Sequence, residues 1–228
     1  MKLSNETLSV LKNFSTINKN LQFKKGNQLS TISETKTVLA NATLKDSFPE
    51  DFCVYDLNQF LSVLALHKDT VELEFVEHSI LFKNGRRKTN FRKTDPSNII
   101  APPTDKKMQL SNTDVSFVLS ANDFNDIMKS ASVLSSPNIS VKSDGTNTFI
   151  VACDAKDSSQ NFDEIQLENV ECPDKEFNVV FKTDNMKMIP GQYNVDISFK
   201  GFARFTGSNG DIEYWVRSEE HTSELQSH

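Results

Sequence analysis

The stretch LSNETLSVLKNF at residues 3–14 returns in altered form as LSANDFNDIMKS at 119–130, and this repetition limits the possible folds more than any other feature of the chain. The likeness continues downstream in the same order. VELEF at 71–75 lies against VDISF at 195–199, and the turn pair Asn84-Gly85 against Asn209-Gly210. The offset grows from 116 residues at the first pair to 125 at the last, a drift that short loop insertions explain. A chain of 228 residues can form one large domain or two of about 100–120 residues, each able to bury its own core. The repeat selects the second arrangement.

In the first copy, Ser4 caps a helix whose Leu8, Val10, Leu11, Phe14 and Ile17 form an apolar stripe at helical spacing. Strands are expected at 20–24, 28–33, 37–44 and 52–55. Asp56 then opens a helix that buries Leu57, Phe60, Leu61 and Leu64, and strands at 71–76, 78–83 and 86–92 follow, the last two joined by the hairpin pair Asn84-Gly85. The segment TDPSNIIAPPTDKKMQL, 94–110, holds three of the seven prolines and no period, and reads as an extended linker. Beyond it Ser120 and Asp123 open a third helix with Phe124, Ile127, Met128, Ala131 and Leu134 facing inward. Strands are expected near 138–143, 147–154, 162–170 and 177–181. TDNMKMIPG, 183–191, predicts a short fourth helix capped by Asp184 and stopped by Pro190-Gly191, with strands at 193–200, 202–206 and 211–216 closing the copy. The expected class is α+β, with an antiparallel sheet structure and two helices in each of two similar domains, 1–93 and 111–216. The last residues, RSEEHTSELQSH at 217–228, have no apolar period and read as a translated sequencing adapter, so they are set aside as a non-native tail.

Charge divides along the same boundary. Residues 1–110 carry 16 Lys and Arg against 12 Asp and Glu, whereas 111–228 carry 9 against 19. Such asymmetry fits a basic surface facing an anion, or two halves that attract each other between copies. No stretch approaches the roughly 20 apolar residues of a membrane span, so no membrane partner is expected. The N-terminal segment lacks a secretory apolar region, which points to a cytoplasm. Cys53, Cys153 and Cys172 are odd in number and widely spaced, and are expected to be reduced and mostly buried. There is no Gly-rich phosphate loop, no metal-ligand spacing and no nucleophile–base pair, so neither enzymatic activity nor a cofactor or metal is expected. His67 and His78 stand alone and read as surface residues. A structural β-rich virion protein is the alternative that these patterns leave open.

Four blocks, MKLSNETLSVLKNFSTIN, VYDLNQFLSVLAL, DPSNIIAP and NMKMIPGQY, resemble in sequence and order the sliding clamps of T-even-type bacteriophages, and the likeness covers the chain to about Val216. The resemblance implies two clamp domains per chain and a homotrimeric ring of similar domains, with helices lining a hole through which duplex DNA passes without sequence preference. It further implies tethering of the replicative DNA polymerase, loading by an ATP-driven clamp loader, a role with late transcription factors of the virus, and a location in the host cytoplasm.

On this reading Lys12, Lys129 and Lys187, with Lys19 and Lys68, face DNA, and Ser132 stands where a relative would carry a basic residue. Sparse cations suit sliding, because each firm phosphate contact adds affinity that movement must break. A ring of identical subunits joins head to tail through two unlike surfaces. KNGRRKTNFRK, 83–93, has six basic residues and no acid. Arg86, Arg87, Lys88 and Arg92 are therefore expected to meet Asp163, Glu164, Glu168 and Glu171 of a neighbour, although Lys and Arg on an edge strand also guard against aggregation. Ile99, Ile100 and Pro102 on the linker, with Phe199, are the candidates for an apolar pocket that takes partner peptides.

Overall fold

The computed structural model describes residues 1–67, 71–103, 108–110 and 112–219. The chain divides into two compact units, Met1–Lys106 and Lys107–His228.

In the first unit α1 (Asn5–Ile17) begins where Ser4 turns extended and its side chain accepts the N–H of Thr7. Leu11, Phe14 and Ile17 form the buried stripe, and Asn18 ends the helix in extended conformation. Strands β1 (Leu21–Phe23), β2 (Gly26–Ile32), β3 (Val38–Phe48) and β4 (Phe52–Val54) form antiparallel pairs in the order β4-β1-β2-β3. Helix α1 packs on β3, where Val38, Ala40, Ala42 and Leu44 alternate inward as strand geometry requires. α2 (Leu57–Leu66) is capped by the Asp56 carboxylate, which accepts the Gln59 N–H at 2.9 Å, and buries Leu57, Phe60 and Leu64. β5 (Glu72–Val76), β6 (Ser79–Asn84) and β7 (Arg87–Arg92) make a three-stranded sheet in that order. Its last hairpin turns through Gly85 at φ 55°, a left-handed value that glycine adopts without strain. An aromatic core holds the unit together: Phe23 stacks on Phe52 at 4.3 Å, and Phe60 meets Phe82 and Phe91 edge-on at 5.3 and 5.5 Å. Each such pair contributes about 0.5–1.5 kcal/mol beyond the area it buries.

The second unit repeats this order and adds one strand. After α3 (Ala121–Leu134) come β9 (Asn138–Asp144), β10 (Thr148–Cys153), β11 (Asp163–Gln166) and β12 (Glu176–Lys182), ordered β12-β9-β10-β11. They occupy the places of β4-β1-β2-β3. β13 (Tyr193–Ser198), β14 (Phe202–Gly207) and β15 (Ile212–Arg217) correspond to β5, β6 and β7. Before α3 lies β8 (Val115–Leu119), which pairs with β13 and which the sequence pattern did not reveal. Its counterpart in the first unit is the single residue Met1, which exchanges backbone hydrogen bonds of 2.7 and 2.8 Å with Leu73 of β5.

The expected fourth helix is absent. Thr183–Asn185 makes a single 3-10 turn, after which the chain runs irregularly to Gln192. Pro190-Gly191 leaves too few residues for a self-supporting helix, since nucleation fixes several residues before propagation repays it. The Ile189 backbone is instead held by side chains: its N–H donates to the Tyr214 hydroxyl at 3.2 Å, and its carbonyl accepts from Tyr193. Met186 and Met188 are buried. β11 is also shorter than expected, and β15 extends to Arg217, paired with Phe202, one residue into the segment set aside as a tail. Two cysteines depart from expectation, since Cys53 is buried but Cys153 and Cys172 are only half-buried. His67 is buried rather than exposed, with Nε2 2.8 Å from the Thr89 hydroxyl, and burial followed by the charge of Arg87 lowers its pKa.

Candidate nucleic-acid and subunit interfaces

The outward helix faces are polar and sparsely charged. On α1, Asn5, Ser9, Lys12 and Thr16 are exposed, and Lys12 has no ion-pair partner among the described residues. Lys19, just past the helix, is exposed but lies 3.9 Å from Glu34. The α2 face offers Asn58, Gln59, Ser62, Ala65 and Leu66 and no cation. On α3 the exposed residues are Asn122, Asn125, Asp126, Lys129, Ser132 and Val133. Asp126 sits one turn before Lys129, which offsets part of its field. Lys187 is exposed beside two buried methionines. Lys68 lies outside the described residues.

The N-terminus of α1 is fixed to the sheet by Asp46 on β3, whose carboxylate accepts the N–H and the hydroxyl of Ser4, each at 2.7 Å. Burial alone would raise the Asp46 pKa. The backbone hydrogen bond from Ser4 and the hydroxyls of Thr7 and Ser4 outweigh it and hold the group below the ordinary carboxylate range. Nothing in the local sequence announced this distant cap.

The segments singled out for subunit contact are both edge strands. β7 pairs only with β6, and β11 only with β10, among the described residues. In the two-residue hairpin, Asn84 and Arg87 are opposed, so strand alternation turns the backbone groups of Lys88, Asn90 and Arg92 toward the open edge. On β11, the Leu167 N–H reaches Thr148 at 2.8 Å, which by the same alternation turns those of Glu164 and Gln166 outward. Arg86, Arg87, Lys88 and Arg92 are exposed, as are Asp163, Glu164, Glu168 and Glu171. They are not equally available. Arg87 donates to the Leu66 carbonyl at 2.9 Å, Asp163 accepts from Ser130 on α3 at 2.5 Å, and Glu164 is ion-paired with Lys142 at 2.8 Å. Glu171 also exchanges backbone hydrogen bonds with Ser116, which covers part of the β8 edge.

Of the pocket candidates, Ile99, Ile100 and Pro102 lie in the first unit and Phe199 in the second. Ile99 and Pro102 are half-buried, and Ile100 is 39% exposed. Two buried asparagines pin this segment. The Ile100 N–H donates to Asn20 Oδ1 at 3.1 Å, and Asn18 Nδ2 donates to the Ile100 carbonyl at 3.2 Å. Sequence reasoning missed the pair, since nothing near Asn18 or Asn20 points to a segment some 80 residues away. Phe199 packs against Phe177 at 5.4 Å and under the Lys175 ammonium at 5.2 Å.

Comparison with known proteins agrees with this duplicated plan. Residues 4–101 match the model described as DNA polymerase processivity factor, and 116–220 the model described as gp45 sliding clamp, C terminal. The sliding clamp of Vibrio phage KVP40 is 31% identical over 223 residues, covering 96% of this chain and 99% of the relative. That of Enterobacteria phage T4 is 28% identical over 217 residues, covering 92% and 94%. Among solved structures, A. fulgidus PCNA with the C-terminal region of FEN-1 bound superposes with a TM-score of 0.68 at 15% identity, covering 96% of this chain and 98% of that one. This last likeness shows the fold alone.

Proposed function

The chain belongs to the family of DNA polymerase processivity factors, the sliding clamps, and from that premise we propose that three copies close head to tail into a ring around duplex DNA and tether the replicative polymerase to it. The observation that carries the reading is the pair of open strand edges, one basic and one acidic, on a chain whose two units repeat the same strand order. Unlike edges on one chain are what a closed ring of identical subunits requires, and opposite charge selects partner and register. Lys12, Lys129 and Lys187 hold duplex DNA loosely, and Lys19 and Lys68 are further candidates for that contact. Topological linkage keeps the polymerase at high effective concentration without a tight grip on phosphate.

The strap at Ile99, Ile100 and Pro102 serves partner tails, and Phe199 is proposed for the same use on the second unit. The C-terminal region of FEN-1 bound to A. fulgidus PCNA is an instance of a protein of this fold taking a partner's tail. An ATP-driven loader that opens the ring and late viral transcription factors that share it complete the reading, with the host cytoplasm as its setting. Primer extension by the replicative polymerase of the same phage tests it. On a primed circular template the chain and its loader should lengthen products, and on linear templates with unblocked ends the gain should be lost. Equal gain on both templates would reject encirclement.

A further inference from the structure

The acidic edge is already occupied from within. Lys142 on β9 reaches across β10 to Glu164 on β11, Nζ to Oε2 2.8 Å, with the two side chains 40% and 37% exposed. The same ammonium lies 5.5 Å from the ring centre of Phe162 and 5.8 Å from that of Phe149. Phe162, just before β11, is 58% exposed, the largest apolar group at that edge. The opposite edge is less fully matched from within: Glu74 on β5 is ion-paired with Lys83 and also attracts Lys88, and Lys93 is paired with Glu50, but Arg86, Lys88 and Arg92 make no direct ion pair among the described residues. One edge thus presents unpaired cations, while the other presents an acid and an aromatic ring already held by a cation of their own chain.

We infer that Lys142 is an internal competitor for the acidic edge, weakening the joint between copies and so setting how readily the ring opens. The inference rests on the reading that β7 of one copy meets β11 of the next. When the basic edge approaches, Glu164 must exchange one ion pair for another, so the net gain is smaller than the charge count suggests. Lys142 remains beside the incoming Lys88 and Arg92 as a like charge, which costs further. A merely structural Lys142 would have the opposite effect, because its loss would loosen β11 and with it the joint.

Lys142→Met separates these cases. The methionine keeps an unbranched apolar stem over Phe149 and Phe162 and removes only the charge. Dilution of the assembled protein, followed by sedimentation velocity at low salt, should show the dissociation midpoint of Lys142→Met falling about three- to five-fold below wild type. The gap should close as salt rises. Lys142→Gln, which also removes the charge, should move the midpoint in the same direction. A midpoint that is unchanged or raised in both variants overturns the proposal. Arg86→Glu with Arg87→Glu, measured alongside, tells the two ideas apart. If that double reversal disrupts assembly while the Lys142 variants stay at wild type, the joint stands and the competitor falls. If the reversal leaves assembly intact, both fall.

Discussion

The two units keep the same strand order and differ in what covers it. The first carries α1 and α2, with the aromatic cluster of Phe23, Phe52, Phe60, Phe82 and Phe91 among its core. Among the described residues the second carries α3 alone, and where α2 would recur it has a 3-10 turn, two buried methionines and a pair of tyrosines bonded to the Ile189 backbone. The strands therefore define the repeat, and a helix at the second position is one of two ways to close its core. Adaptable methionine side chains fill a volume that a regular helix would otherwise fill with leucine and phenylalanine.

The sharpest way to break this comparison is in the cores. Phe60→Ala removes the ring that joins α2 to Phe82 and Phe91, and should cost about 3–5 kcal/mol in denaturant unfolding of the first unit. Met188→Ala should cost the second unit about 2 kcal/mol, at the low end for a large core side chain, because the irregular chain around it can collapse. Equal costs would mean that the turn is as rigid a support as the helix.

A smaller effect separates the helix starts. α1 is tied to β3 through Asp46, whereas the Ser120 side chain at the start of α3 bonds Asp123 of its own first turn. Asp46→Asn should therefore destabilise the first unit by about 1 kcal/mol at neutral pH. Since the folded pKa of Asp46 lies below its ordinary value, the stabilisation is complete above the unfolded value of about 3.9 and disappears as pH falls through the folded one. Unfolding curves of wild type and Asp46→Asn should converge below that range. A difference that persists at lower pH would assign the effect to shape rather than charge.

The smallest effects belong to the helix faces. Lys12→Ala and Lys129→Ala should each reduce the slope of log affinity for DNA against log salt by about one at most, with no change in sequence preference. Because Asp126 shares the face of Lys129, the Lys129 change should be the lesser of the two. The reverse order would put the first unit's face farther from DNA than the second's.

Much of the fold could be read in advance because its signals are local. Helix caps at Ser4, Asp56 and Ser120, the apolar stripe at Leu11, Phe14 and Ile17, and the hairpin signal before β7 each act within a few residues, although the turn itself falls on Gly85-Arg86, one residue beyond the expected Asn84-Gly85. What escaped depends on distant partners. β8 is a strand because β13 accepts it, Asp46 caps a helix 42 residues earlier in the chain, and Asn18 and Asn20 hold a segment some 80 residues away. The 183–190 segment misled partly for the same reason: Pro190-Gly191 leaves it too short for a helix, and Tyr214, 25 residues on, takes the Ile189 N–H that local spacing assigned to one. At the candidate interfaces the residue types were legible but their availability was not. Glu164 and Arg87 read as free charges, and only the folded chain reveals Lys142 beside one and the Leu66 carbonyl beside the other.

The most direct test of the ring is the mass of the assembled particle, measured by sedimentation equilibrium at micromolar concentration and moderate salt. A homotrimer whose mass falls to that of a single chain when the basic edge is reversed is the predicted result. A wild-type chain that stays monomeric, or that pairs into closed dimers, would contradict the account.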